Sequence, residues 1–159
     1  MIDHRAAARN ARRLLEATGM AGGKPVLLVG DYDDRRITLE ALSEIIGVLP
    51  INLNIALAQS LIDAAGTRVD VGAIVAAMQP ASPILLLDRI QILMLPQIRN
   101  NATDVLCRVA RRRAVCASWP GRLDRNRLRY ADPDHPECLD EDATRALVLD
   151  LSTNEGTYR

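Results

Sequence analysis

The sequence contains no phenylalanine and a single tryptophan, and aromatic residues make up 3% of its 159 positions. That scarcity disfavours binding of single-stranded nucleic acid on stacked aromatic platforms. Lysine is nearly absent too: of the 20 basic residues only Lys24 is not arginine, a bias that reads as a G+C-rich coding background rather than as function. The three cysteines, Cys107, Cys116 and Cys138, form no C-x-x-C pair, and an odd number suits reduced, mostly buried thiols. Apolar runs such as "PVLLVG" and "PILLLD" fall far short of the about 18 residues of a membrane span. No charged-then-apolar leader opens the chain, so a cytoplasmic location and no membrane partner are expected.

What is present is a chain 48% hydrophobic and 25% charged, expected to form a single domain over residues 1–159. A domain of this size can bury roughly 68 to 70% of its unfolded surface without a metal or a disulfide. Its net charge of zero conceals strong local bias. Residues 1–30 carry 5 basic and 2 acidic side chains, 31–98 carry 4 and 8, 99–130 carry 9 and 2, and 131–159 carry 2 and 8. Such alternation either offers a basic face to phosphate or an acidic partner, or lets an acidic stretch cover its basic neighbour.

Periodicity places an amphipathic helix from Asp3 to about Ala17, with Ala7, Ala11, Leu14 and Leu15 on one side and arginines on the other. "PVLLVG" then has the continuous apolar character of a strand buried on both faces, and Ile37 to Gly47 that of a helix buried on two sides. "INLNIAL" alternates like a strand near a sheet edge, followed by a helix ending at Gly66. Thr67 and Asp70 form a capping box for a helix through Met78. "ILLLD" is the next buried strand, Asn101 caps a helix reaching about Arg112, and "AVCASW" is another strand. The remainder is expected to be edge structure, with "RLRYA" and a final "ALVLDL" as strands. Alternating strands and helices predict an α/β fold with a mainly parallel sheet, in which Gly30, Asp88 and Ser118 converge at the carboxyl ends of neighbouring strands.

A strand ending in Gly30 before a buried helix, an aspartate-ended "ILLLD" strand, and the stretches "INLN", "ASWPG" and "RYADPDHPE" together resemble the small P-loop protein of type 3 BREX bacteriophage-exclusion systems, the BrxF family, over about residues 25–137. The resemblance implies a P-loop NTPase-like three-layer sandwich with an added N-terminal helix. It also implies an accessory role in anti-phage defence through other defence-system proteins, with a homo-oligomer as a further partner. A working phosphate loop, G-x-x-x-x-G-K-[ST], uses glycines for the backbone, lysine for the outer phosphates and a hydroxyl for magnesium. Here Gly30 holds the first place, but Arg35, Arg36 and Ile37 stand at the Gly, Lys and Ser/Thr places, and only a shifted register recruits Thr38. Asp31, Asp33 and Asp34 would repel a polyanion and are expected to serve the helix N-terminus instead. Gln91 replaces the glutamate of the family pattern. The expectation is therefore a degenerate site with no hydrolysis and no cofactor, the alternative being a weak ATPase that uses ATP and magnesium through Arg36, Thr38 and Asp88. Ser118 is either a phosphate-sensing group or a satisfied strand-end hydroxyl, and Asp88 either a magnesium-site acid or a loop anchor.

Other constellations are weaker. His135 and Cys138 lack a second ligand pair for zinc, no nucleophile elbow is present, and His135 is expected to hold the acidic loop to the body. Arg108, Arg111, Arg112, Arg113, Arg122, Arg125, Arg127 and Arg129 are candidates for contact with DNA or another anion, or form a solvated or partner-facing surface.

Overall fold

The computed structural model describes residues 1–21, 23–65, 68–98, 101–152 and 157–158. Helix α1 (His4–Ala21) leads to β1 (Val26–Val29), α2 (Tyr32–Ile46), the short β2 (Ile51–Asn52), α3 (Leu53–Asp63), α4 (Val71–Ala76), β3 (Ile84–Asp88), α5 (Ala102–Ala110) and β4 (Ala114–Ser118). Strands β5 (Arg122–Asp124), β6 (Arg127–Tyr130) and β7 (Leu139–Asp142) then form a small antiparallel sheet. The chain returns to the main sheet as β8 (Leu147–Asp150) and β9 (Thr157–Tyr158). The main sheet has the order β2-β3-β4-β1-β8-β9, its first five strands parallel and β9 antiparallel.

The continuous apolar runs become intelligible from the two faces of this sheet. Leu27, Val29, Leu85, Leu87, Val115 and Ala117 enter a core shared with α3, α4 and α5, while Val26, Leu28, Leu86 and Cys116 enter a second core beneath α1 and α2. A strand covered on both faces needs apolar side chains in both phases of its two-residue repeat. The result is a three-layer α/β sandwich, as expected, with β1, β4 and β3 as neighbours. In α1, Ala7, Ala8 and Ala11 are buried and small, which lets the helix lie close on α2.

Three expectations are corrected. The strand over "INLNIAL" stops at Asn52, because the Asn52 side chain accepts from the Ile55 N–H at 3.3 Å and caps α3, whose Leu53 and Leu57 are buried one turn apart. Helix α4 is capped by Asp70 rather than by a box, with Asp70 accepting from the Ala73 N–H at 3.2 Å; Gly66 and Thr67 lie outside the described residues. The C-terminal part is not all edge structure: β8 pairs with β1 inside the sheet, and residues 122–142 build the second sheet.

Candidate functional site

Parallel strands joined through helices gather their carboxyl ends on one edge, and a crevice opens where neighbouring strands send their connections to opposite faces. Strands β1 and β4 are such neighbours. The connection from β1 enters α2, on the face of the second core, while β4 continues into the small sheet, whose Leu128 belongs to the first core. Gly30 and Ser118 border this crevice, with Asp88 at the end of β3 beyond β4.

Arg35 fills it. Its Nε donates to the Gly30 carbonyl at 2.9 Å and one terminal nitrogen donates to Ser118 Oγ at 2.7 Å. The residue is 8% exposed and Ser118 2%. Burial pushes the guanidinium pKa down, opposed by the charges of Asp88, Tyr32 and Asp31. Over the crevice lies Tyr32, its ring centroid 5.8 Å from the guanidinium carbons of both Arg35 and Arg89. Arg89 also donates to the Tyr32 hydroxyl at 2.9 Å, reaching it from a left-handed backbone position with φ of 50°. Tyr32 and Arg89 were not singled out by sequence, since their meeting depends on the β3–β1 separation across the sheet.

Gly30 has a local structural reason to be glycine. Its φ is 151°, and a Cβ there would stand 2.9 Å from Leu151 Cβ, which the pairing of β8 with β1 brings alongside. The eight-residue stretch that would form a phosphate loop is mostly helical: α2 begins at Tyr32, two residues after Gly30. Arg36, at the lysine place, points its charge along the helix to Glu40 at 3.0 Å and Asp33 at 3.7 Å, and Glu40 pushes its pKa up. Ile37 is half-buried in α2. Thr38 is fully buried, with no hydrogen-bond partner for Oγ1 among the described residues. Asp88 accepts from the following Arg89 N–H at 2.9 Å, the strand-end anchoring role.

Asp31, Asp33 and Asp34 do stand at the N-cap and in the first turn of α2, where their charge suits the helix dipole, but none is seen to cap the helix by a side-chain hydrogen bond. Asp31 occupies the N-cap position without a side-chain hydrogen bond, Asp33 pairs with Arg36, and Asp34 lies 2.8 Å from His4 Nε2, tying α2 to α1. His135 likewise organises its own loop rather than holding it to the body, its Nδ1 accepting from the Glu137 N–H at 3.1 Å. Among the described residues no group of three or more His, Cys, Asp or Glu side chains is placed to hold a metal ion. No described helix is long and apolar enough to cross a membrane.

The eight candidate arginines do not form one surface. Arg113 donates to the carbonyls of Ala76, Met78, Gln79 and Ser82 and so holds the turn between α4 and β3. Arg108 pairs with Asp70 at 3.2 Å. Arg127 pairs with Asp140 at 2.8 Å, and Arg129 with Asp124 at 3.4 Å and Asp140 at 3.9 Å, so part of the acidic stretch does cover its basic neighbour. Arg111, Arg112, Arg122 and Arg125 are exposed and have no ion-pair partner among the described residues.

The fold and site define a three-layer α/β protein whose crevice at the carboxyl ends of β1 and β4 is filled by its own arginine. The chain matches no protein-family model, no curated protein and no solved structure.

Proposed function

We propose that this protein is a P-loop NTPase-like subunit that does not hydrolyse nucleotide and acts by binding other proteins, as an accessory of a bacterial anti-phage defence system of the BREX type. One observation carries the non-hydrolysing part: the buried Arg35 guanidinium occupies the crevice, satisfied by Gly30 and Ser118. The competing ATPase needs Arg36, Thr38 and Asp88 around one nucleotide, yet Arg36 is engaged by Glu40 and Thr38 has no exposure to solvent. The defence role rests on the resemblance of the "INLN", "LLLD", "WPG" and "HPE" stretches. Affinity purification of the tagged chain from its own host, read by mass spectrometry, tests it. Recovery of methyltransferase-like or phosphatase-like defence components supports the role, and recovery of none with unchanged phage sensitivity on deletion overturns it.

A second reading is favoured by the unpaired Arg111, Arg112, Arg122 and Arg125: contact with duplex DNA through phosphates. Its affinity would fall steeply with salt, and alanine at these four positions would abolish it while Arg127→Ala changes it little.

A further inference from the structure

A cavity of about 220 Å³ opens at the amino-terminal edge of the main sheet, opposite the Arg35 crevice. It lies where the β5–β6 turn meets the start of β8. Lys24 and Arg125 stand on its wall beside Asn126 and Thr144, above an apolar floor that includes Leu123 and Val148. No carboxylate lines it. Neither cation has an ion-pair or hydrogen-bond partner among the described residues. The Arg111 side-chain stem packs against Gly23, the residue before Lys24: a Cβ on Gly23 would come within 2.9 Å of Arg111 Cγ. Of the acids closest in sequence, Asp124 is engaged by Arg129, and Asp142 is held against the wall by the Thr144 N–H and hydroxyl.

The backbone supplies an independent observation. Asp124 pairs with Arg127, so Arg125 and Asn126 form a two-residue hairpin turn. Arg125 has φ of 55°, and Asn126 is not in the positive-φ region. Positive φ at the first central position alone is the type II′ pattern, where glycine is the strongly favoured residue. An arginine is strained there, and strain of this kind is kept where the side chain serves a site. The neighbouring Asn126 carbonyl accepts from the Ala143 N–H at 2.8 Å, which fixes the turn against the cavity wall.

We infer that this cavity binds a small organic carboxylate. The carboxylate lies between Lys24 and Arg125, with the Asn126 amide as a further donor, and its hydrocarbon part rests on Leu123 and Val148. Two sources carry this chemistry: a free short-chain carboxylate and the C-terminal carboxylate of a peptide.

Titration of the isotope-labelled protein by amide NMR, with acetate, hexanoate, hexanamide and the tripeptide Gly-Gly-Leu as probes, tests the inference. Hexanoate is expected to give saturable shifts at Asn126, Ala143 and Thr144, with affinity rising about three- to fourfold for each methylene over acetate that the cavity takes in. Neutral hexanamide and the Lys24→Ala variant should each bind about tenfold more weakly, the effect of losing one charge-assisted contact. The Arg125→Gly variant should show a raised thermal midpoint and weakened hexanoate binding together, a pairing that a merely structural arginine would not produce. Tighter binding of Gly-Gly-Leu than of hexanoate identifies a peptide terminus as the source, and the reverse a free carboxylate. Equal affinity for hexanoate and hexanamide, no saturable shift with either acid, or Arg125→Gly binding as tightly as the parent would overturn it.

Discussion

Replacing Arg35 with alanine leaves the Gly30 carbonyl and the Ser118 hydroxyl without their donor in a buried crevice. An unsatisfied buried polar group costs about 1–3 kcal/mol, so urea denaturation should show a loss of about 2–4 kcal/mol. Arg35→Lys should recover little of it, because a point donor cannot reach both acceptors with the geometry of a planar fork. Thr38 makes the opposite case: its hydroxyl is buried without a partner, so Thr38→Val should leave stability unchanged or raise it by up to about 1 kcal/mol. A loss of stability would show that the hydroxyl has an undetected partner. The sequence exposed the defect at Arg35, an arginine at a glycine place, but not its resolution. That arginine's partners are set by the separation of β1 and β4, which no local pattern encodes. The glycine of the "WPG" stretch is equally a matter of distant contact. A Cβ on Gly121 would collide with the Arg129 carbonyl oxygen, beside the buried Trp119, whose indole N–H donates to that same oxygen at 3.3 Å.

At the scale of elements, a local cap was legible at α5, whereas a cap that comes from afar left no trace in the sequence. Asn101 accepts from the Asp104 N–H at 2.7 Å, the local signal expected for α5. The same helix has a second, invisible cap: the buried Glu141 of β7 accepts from the Ala102 and Thr103 N–H groups at 3.1 and 3.0 Å. A carboxylate at a helix N-terminus satisfies two free donors and the positive end of the dipole. Glu141→Gln keeps the size but loses the charge and one acceptor oxygen, and should lower stability by about 1–2 kcal/mol. It should also loosen the contact between the small sheet and α5, seen as faster amide exchange in β6 and β7 with β1 unaffected. Of the small sheet only β6 was legible, as "RLRYA"; β5 and β7 were not, because they are 3 or 4 residues long and mostly charged, and Leu128 of β6 is the one fully buried apolar side chain of the three strands. "INLN" misled for the converse reason, since an asparagine that caps a helix and one that alternates on a strand occupy the same place in a sequence.

For the whole molecule, the parallel core was readable because strands covered on both faces announce themselves as unbroken apolar runs. The order of those strands was not, and β8 was assigned to the periphery although it lies beside β1. Deleting residues 140–159 would therefore remove β7 and β8 rather than uncover arginines; Asp140→Asn is the substitution that frees Arg127 and Arg129. Stability should also depend on pH through these surface acids. A backbone hydrogen bond from Ala6 lowers the Asp3 pKa, the bond from Arg127 lowers that of Asp140, and the Thr144 N–H lowers that of Asp142, all from an ordinary value of 3.8. Carboxyls held below their unfolded value contribute stability that is fully present above that value and lost as pH falls through the folded one. The urea midpoint should thus drop below about pH 4, and less steeply in the Asp140→Asn, Asp142→Asn double variant. Thiol chemistry follows the layers as well: burial pushes the Cys116 pKa up to about 12, so iodoacetamide at neutral pH should modify the half-buried Cys138 and leave Cys116 intact until the protein unfolds. The most direct measurement on the molecule as a whole is calorimetric titration with ATP and magnesium, paired with phosphate release, on the parent and on a variant carrying Arg35→Gly, Arg36→Lys and Ile37→Thr with Asp33 and Asp34 neutralised. In the parent Arg35 fills the crevice, and in both proteins α2 begins at Tyr32, where a phosphate loop needs free backbone, so neither should give saturable heat or release phosphate. Micromolar binding by the parent, with turnover lost on Asp88→Ala, would contradict a crevice closed from within.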